Sequence, residues 1–266
     1  MNPPDARSSF TRPRRVAEPN ASPPIRFIPV DYWLILRIVS NVQQLIVATR
    51  NPHKIREIRQ ILGSAYNIRD LSACPDAPAV VESGETFEQN AALKAEKISR
   101  CYTGLVLADD SGLAVNALNG APGVRSARYA AENATDQQNL EKLLAELRKS
   151  DPRQQDWSAS FRCAVAVAEN GKVLEIFCGE IKGMIVNGAR GTGGFGYDPV
   201  FVPDGYRQTF AELGAEEKNR ISHRAQALRK AREALKTRVA TAASSESSPL
   251  KKSSISLRDL VGGNNE

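Results

Sequence analysis

The stretch Leu105-Val106-Leu107-Ala108-Asp109-Asp110-Ser111-Gly112-Leu113 constrains this chain more than any other. Four consecutive apolar residues after Gly104 suit a strand covered on both faces, since buried parallel sheets read as apolar runs. Two adjacent carboxylates then close that strand. Open α/β sheets place ligands outside the carboxyl edge of their strands, so acids there are positioned to meet one. Asp and Ser at such an edge suit a hard cation such as Mg²⁺ and a water held beside it. The alternative is an Asx-type turn in which Asp109 or Asp110 satisfies loop backbone. Successive strand side chains point to opposite faces, so the two acids are expected to divide the work. One faces a groove while the other is tied to backbone.

Order begins upstream at Leu45-Ile46-Val47-Ala48-Thr49, a β-type run. Asn51 then suits an N-cap and Pro52 a first helical position, ahead of Ile55, Ile58, Ile61 and Leu62 on one helical face. Gly63 stops that helix. Lys54 sits in its first turn, where the helix dipole disfavours a cation. An anion bound at the free N–H groups would resolve the conflict. A merely solvated lysine costs only about 0.3 kcal/mol. Thr49 and Asn51 in the same loop favour phosphate.

A strand near Tyr66 to Leu71 follows, then a proline-rich loop and a helix with a Thr86/Gln89 capping box. Phe87, Ala91, Ala95, Ile98 and Tyr102 form its apolar face. The dipole explains Glu88 in the first turn, whereas Glu82 has no such local reason and is the better metal candidate. Thr135 and Gln138 cap a third helix, whose buried face is Leu140, Leu143, Leu144 and Leu147. Trp157 to Ala168 alternates with Trp157, Ala159, Phe161, Cys163, Val165 and Val167 inward, and Asn170-Gly171 turns the chain into Val173 to Cys178. The sheet is therefore mixed, and the fold class α/β. Gly191-Thr192-Gly193-Gly194-Phe195-Gly196 matches a dinucleotide fingerprint in form only, because Tyr197-Asp198-Pro199 stands where a helix should begin. Ser222 caps a last helix with Ala227, Leu228, Ala231 and Leu235 inward. Lys218, His223 and Arg224 read as ordinary surface charge on composition alone.

Charge matters mainly at the ends. The net charge of +6 suits an anionic partner, but Arg7, Arg12, Arg14, Arg15, Arg26 and Arg37 belong to a Pro- and Ser-rich opening segment. Residues 1–43 are read as a disordered extension, 44–238 as the folded domain and 239–266 as a second disordered tail. An organelle transit peptide is an alternative for the first segment. The four cysteines lack zinc or disulfide-framework spacing and only two histidines exist, so free thiols in a cytoplasmic protein are the simplest reading. No stretch is apolar enough to span a membrane. RNA binding through the tails is a rival reading, but no aromatic residues interleave the basic runs as stacking platforms.

Five separated motifs stand in order: Thr49-x-Asn51-x-x-Lys54, Glu82 to Ala91, Ala108 to Leu113, Gly191 to Pro199, and Ile221-Ser222-His223-Arg224. Together they resemble the inosine/xanthosine triphosphate pyrophosphatases, the Ham1-like house-cleaning enzymes. The departures are His53, where a small residue is common, and Gln89 for a frequent glutamate. The resemblance implies two lobes around a nucleotide-binding groove. It also implies Mg²⁺-dependent hydrolysis of ITP, dITP and XTP to monophosphate and pyrophosphate, by water attacking the α-phosphorus. Carried over by motif, the loop Thr49, Arg50, Asn51, Pro52, His53 and Lys54 holds the triphosphate. Glu82 and Asp110 bind Mg²⁺, Asp110 also accepts the water's proton, and Ser111 lies near the phosphates. Phe195 stacks on the base with Gly196, Tyr197 and Asp198 nearby, and Lys218, His223 and Arg224 read its edge. A homodimer is implied, with neither a membrane nor a nucleic acid as partner. A pyrophosphatase of modified pyrimidines is the closest rival within this chemistry.

Overall fold

Six strands build one sheet in the order β2-β1-β3-β4-β5-β6. The computed structural model describes residues 43–154 and 156–246. The strands are β1 (Gln43–Val47), β2 (Tyr66–Asp70), β3 (Leu105–Val115), β4 (Ser158–Glu169), β5 (Lys172–Ile185) and β6 (Phe201–Pro203). β1 pairs in parallel with β2 and β3, and every other pairing is antiparallel. The helices are α1 (Pro52–Leu62), α2 (Phe87–Ser99), α3 (Asp136–Ser150), α4 (Ala215–Ile221) and α5 (His223–Glu246). The extensions expected at 1–43 and 239–266 lie outside the described residues, except that Gln43 opens β1 and α5 continues through 239–246.

The alternation in β4 separates two buried faces, not a wet face from a dry one. Cys163, Val165 and Val167 pack with Ile55, Ile58 and Leu62 of α1 and Leu228 and Leu235 of α5. Ala164, Ala166 and Ala168 pack with Ala91, Ala95 and Ile98 of α2. Small side chains on the second face let α2 approach the sheet closely, so a position that looks solvent-facing by size is fully covered. Near the start of β4, Phe161 and the preceding Trp157 meet Leu140, Leu143 and Leu147 of α3.

The helix starts follow their local chemistry. Asn51 Oδ1 accepts from the backbone N–H of His53 at 2.8 Å and of Lys54 at 3.2 Å. Thr86/Gln89 and Thr135/Gln138 both close capping boxes. Asn170 and Gly171 take φ of 51° and 75°, the pair of left-handed residues a two-residue hairpin turn needs. Ser222 is extended (φ −63°, ψ 158°), which separates α4 from α5. Its Oγ accepts from Ala225 N at 3.2 Å at the start of α5. The short helix α4 has no periodic apolar stripe to announce it, and the sequence names no helix ahead of the Ser222 cap.

One expectation about β3 is corrected. The strand does not end at the acids but continues to Val115, pairing with β4 along its whole length. The parallel partner is what ends there: Val47 lies opposite Leu107, and β1 stops. Asp109 and Asp110 are thus in mid-strand, just past the carboxyl end of β1, and the Asx-turn alternative falls. Beyond them Gly112 packs against the turn at Gly123–Arg128. Ser126 Oγ there accepts from Leu113 N at 2.9 Å and donates to Gly123 O at 2.7 Å. An added Cβ on Gly112 would lie 2.3 Å from Ser126 Oγ. Gly112→Ala is therefore expected to destabilise the fold by about 1–3 kcal/mol through overpacking, read by urea denaturation.

Candidate active site

Strand alternation sends the two acids to opposite faces of β3. Asp109 follows Leu107 toward α1 and α5, where Lys54 Nζ stands 3.2 Å from its Oδ1. Its Oδ2 accepts from Arg224 Nε and Nη2, both at 3.1 Å, and from Ser111 Oγ at 3.2 Å. Burial alone would raise the carboxyl's pKa, but Lys54 and Arg224 outweigh it and hold the group far below the usual carboxylate range. This acid was expected to be tied to backbone; it anchors a buried charge cluster instead. The same contact accounts for the first-turn lysine: Lys54 reaches past the helix start to a carboxylate, and Asn51 already takes two of the free N–H groups. No anion is needed to explain it.

Asp110 follows Ala108 toward α2. Lys94 Nζ lies 3.0 Å from Asp110 Oδ1 and 2.9 Å from Glu82 Oε1, so acids 28 positions apart in the chain meet at one ammonium. Arg128 Nη1 donates to the other oxygen of Glu82 at 3.4 Å. Burial raises the Asp110 pKa, the Lys94 and Lys54 charges oppose it, and nearby Glu82 adds to the rise, leaving the group above its ordinary value. At Glu82 the balance is reversed: burial is outweighed by Lys94, Lys54 and Arg128, and the pKa is lowered. Asp110 Oδ2 is buried with no hydrogen-bond partner among the described residues.

The opposite end of the cleft is aromatic. Phe195, on the glycine loop, stacks on His53 with ring centroids 5.2 Å apart. Asp198 Oδ2 accepts from Phe195 N at 2.8 Å and pairs with Lys218, fixing the loop. Gly194 has φ +73°, and a Cβ there would strike that carboxylate at 2.0 Å, so glycine is required. Tyr197 is buried and donates its hydroxyl to Ser126 O at 2.9 Å, while Gly196 N donates to Asp136 Oδ2 at 2.7 Å. His223 lies parallel to Phe161 at 4.8 Å and 7°. Burial, with Arg224 and Lys218 adjacent, lowers its pKa well below that of free histidine. Its Nδ1 is buried and has no hydrogen-bond partner among the described residues.

A cleft joins the two ends and is lined by Asn51, Lys54, Glu82, Asp110, Ser111, Phe195, Gly196, Tyr197, Asp198, Lys218, His223 and Arg224. An adjoining hollow reaches Thr49 and Arg50, together with Lys94 and Asp109. Pro52 and His53 line neither cavity, and His53 meets the cleft only through Phe195. Thr49 Oγ1 accepts from Asn51 N at 3.1 Å, and Arg50 donates to Ala77 O at 3.0 Å. Lys218 and Arg224 are buried, not surface charge. Arg224 makes four hydrogen bonds, to Asp109 twice, Ser111 and Glu57, which leaves one of its five N–H groups uncommitted.

Three contributors escaped the sequence reading. Lys94 carried a legible signal, since it shares the buried face of α2 with Ala91, Ala95 and Ile98 and a lysine there demands a partner. Glu57 salt-bridges Lys218 at 2.8 Å and also Arg224, but α1 offered no reason to single it out. Arg128 looked like loop charge. Among the described residues no group of three or more His, Cys, Asp or Glu is placed to hold a metal. A pair does fit a hard cation with few protein ligands: Glu82 and Asp110 present oxygen donors side by side, one of them an unpartnered buried atom. No helix among the described residues is long and apolar enough to cross a membrane.

Comparison with known proteins matches this chain to the Ham1 family over residues 45–234. A dITP/XTP pyrophosphatase of Bacillus licheniformis is 47% identical over 190 residues, 71% of this chain and 96% of the relative. One from Geobacter sulfurreducens is 50% identical over 187 residues, covering 70% and 92%. The structure of a HAM1 protein from Coxiella burnetii superposes with a TM-score of 0.66 at 40% identity, covering 74% of this chain and all of that one. On a family match over residues 45–234 and relatives of this identity and coverage, the chain belongs to the Ham1 family.

Proposed function

We propose that the chain hydrolyses non-standard purine nucleoside triphosphates, dITP, XTP and ITP, to the monophosphate and pyrophosphate, with Mg²⁺ as cofactor. The observation that carries this reading is the meeting of Glu82 and Asp110 at one end of a cleft whose other end holds Phe195 and His223. Glu82 and Asp110 would hold Mg²⁺, which when bound neutralises phosphate charge and lowers the pKa of coordinated water. Asp110 accepts a proton from the attacking water, a task its unpartnered Oδ2 suits. Lys54 acts on the triphosphate as a point charge from the helix start, with Thr49 and Asn51 beside it. Phe195 offers the base a flat apolar face.

Base choice follows from hydrogen-bond sense. A 6-keto oxygen accepts, whereas adenine's 6-amino group donates. Lys218 and Arg224 offer donors at that end of the cleft, so adenine would leave buried groups unpaired at about 1–3 kcal/mol each. That corresponds to about 5- to 150-fold discrimination against ATP. The test is pyrophosphate release from ITP, dITP, XTP, GTP, ATP and modified pyrimidine triphosphates, with and without divalent metal. Turnover of ITP and XTP well above ATP, lost on chelation, is expected; equal turnover of ATP and ITP would overturn the base-reading assignment.

A further inference from the structure

We propose that Lys94 is a displaceable internal cation: in the nucleotide-free protein its ammonium holds the position between Glu82 and Asp110 that a divalent metal takes during turnover, so metal enters together with the triphosphate. This rests on the proposed function for the identity of the metal site, but its geometry stands alone. The ammonium touches one oxygen of each acid, at 2.9 and 3.0 Å, and the side chain is 11% exposed. Without a cation there, two acids facing one another in a poorly solvated site would repel. Arg128 does not replace it, because that guanidinium reaches only Glu82 and is shared with Glu132.

A metal that takes the position between Glu82 Oε1 and Asp110 Oδ1 competes with the ammonium for both of those oxygens. Two cations forced together where water is scarce repel strongly. Lys94 must therefore swing away when metal binds. Its flexible four-carbon stem permits that without moving α2. The displaced charge needs a new counter-ion, and a triphosphate brings several. Metal and nucleotide should accordingly bind cooperatively, each raising the other's affinity by the same factor.

The test titrates Mn²⁺ into the full-length, nucleotide-free protein and counts free Mn²⁺ by electron paramagnetic resonance. Lys94→Met keeps the stem and deletes the charge, and should bind Mn²⁺ about tenfold or more tightly than the parent protein, within the usual range of site coupling. Lys94→Arg keeps the charge and should show no such gain. Adding Glu82→Gln to Lys94→Met should abolish the gain, which ties the ion to these acids. Thermal melting checks folding, and Lys94→Gln serves the same comparison where the methionine variant is unstable. Unchanged or weaker Mn²⁺ binding in the charge-deleted variants overturns the exchange, as does an equal gain in Lys94→Arg. If the parent protein releases pyrophosphate with metal but the variants bind Mn²⁺ no better, only the exchange fails. If no triphosphate is hydrolysed while Lys94→Met binds Mn²⁺ tightly, the proposed function fails and the exchange stands.

Discussion

Asp110→Asn should lower pyrophosphate release at least about 10²-fold while the fold stays intact, as loss of a positioned base does. Asparagine has the same shape and can keep an oxygen near Lys94, so β3 retains its packing and its full ladder with β4. What is lost is the charge and the basicity of an oxygen that has no partner among the described residues. Single-turnover release of pyrophosphate from ITP reads the chemical step, and a thermal melt verifies the fold. A deficit confined to KM and relieved by excess metal would make Asp110 a ligand without a base's role. A rate like the parent protein's would remove it from the reaction altogether. Because Asp110 is the raised acid and Asp109 the lowered one, the two asparagine variants should fail differently: Asp110→Asn in rate, Asp109→Asn in stability.

That division was half visible in the sequence. Alternation along a strand separates the two acids without any structure, and the apolar run before them marks the strand as buried. What the sequence could not supply was the partner of each. Asp109 meets Lys54 from α1 and Arg224 from the start of α5, 115 residues away, and nothing in the local pattern links them. The length of β3 was misjudged because two acids and a glycine read as a loop; their charges are neutralised across the sheet, which lets the strand continue. Lys218 and Arg224 read as surface charge because basic runs usually are. Here Glu57, Asp109 and Asp198 take them into the interior. The capping boxes, the hairpin turn and the faces of α1, α3 and α5 were legible because each depends on neighbours a few residues off.

Asp109→Asn should cost about 3–5 kcal/mol of stability, since it leaves buried cations without their counter-charge. Among the described residues, Arg224, 1% exposed, keeps only Glu57 as an acidic partner, and Lys54 loses its one ion-pair contact. Against a total of about 5–15 kcal/mol, urea denaturation will read this easily. Replacing both partners, Asp109→Leu with Arg224→Met, should cost less than the sum of the single changes, as removing a whole pair does. Acid exposes the same interaction. The Asp109 pKa is lower folded than unfolded, so its contribution is complete above about pH 4 and is lost as pH falls below that toward the folded value. His223 also has a lowered folded pKa, but for a base this means that the unfolded chain takes up protons first, and stability drops as pH falls below about 6.5. Asp110 and Asp198, with raised folded values, act in the opposite sense and soften the loss above about pH 4. The Asp109 contribution therefore appears in the difference between the parent protein and Asp109→Asn. That difference should be constant between about pH 5 and 8 and should shrink below about pH 4. A difference that stays constant down to pH 2, or a single variant no less stable than the parent protein, would show that Asp109 does not hold the cluster together.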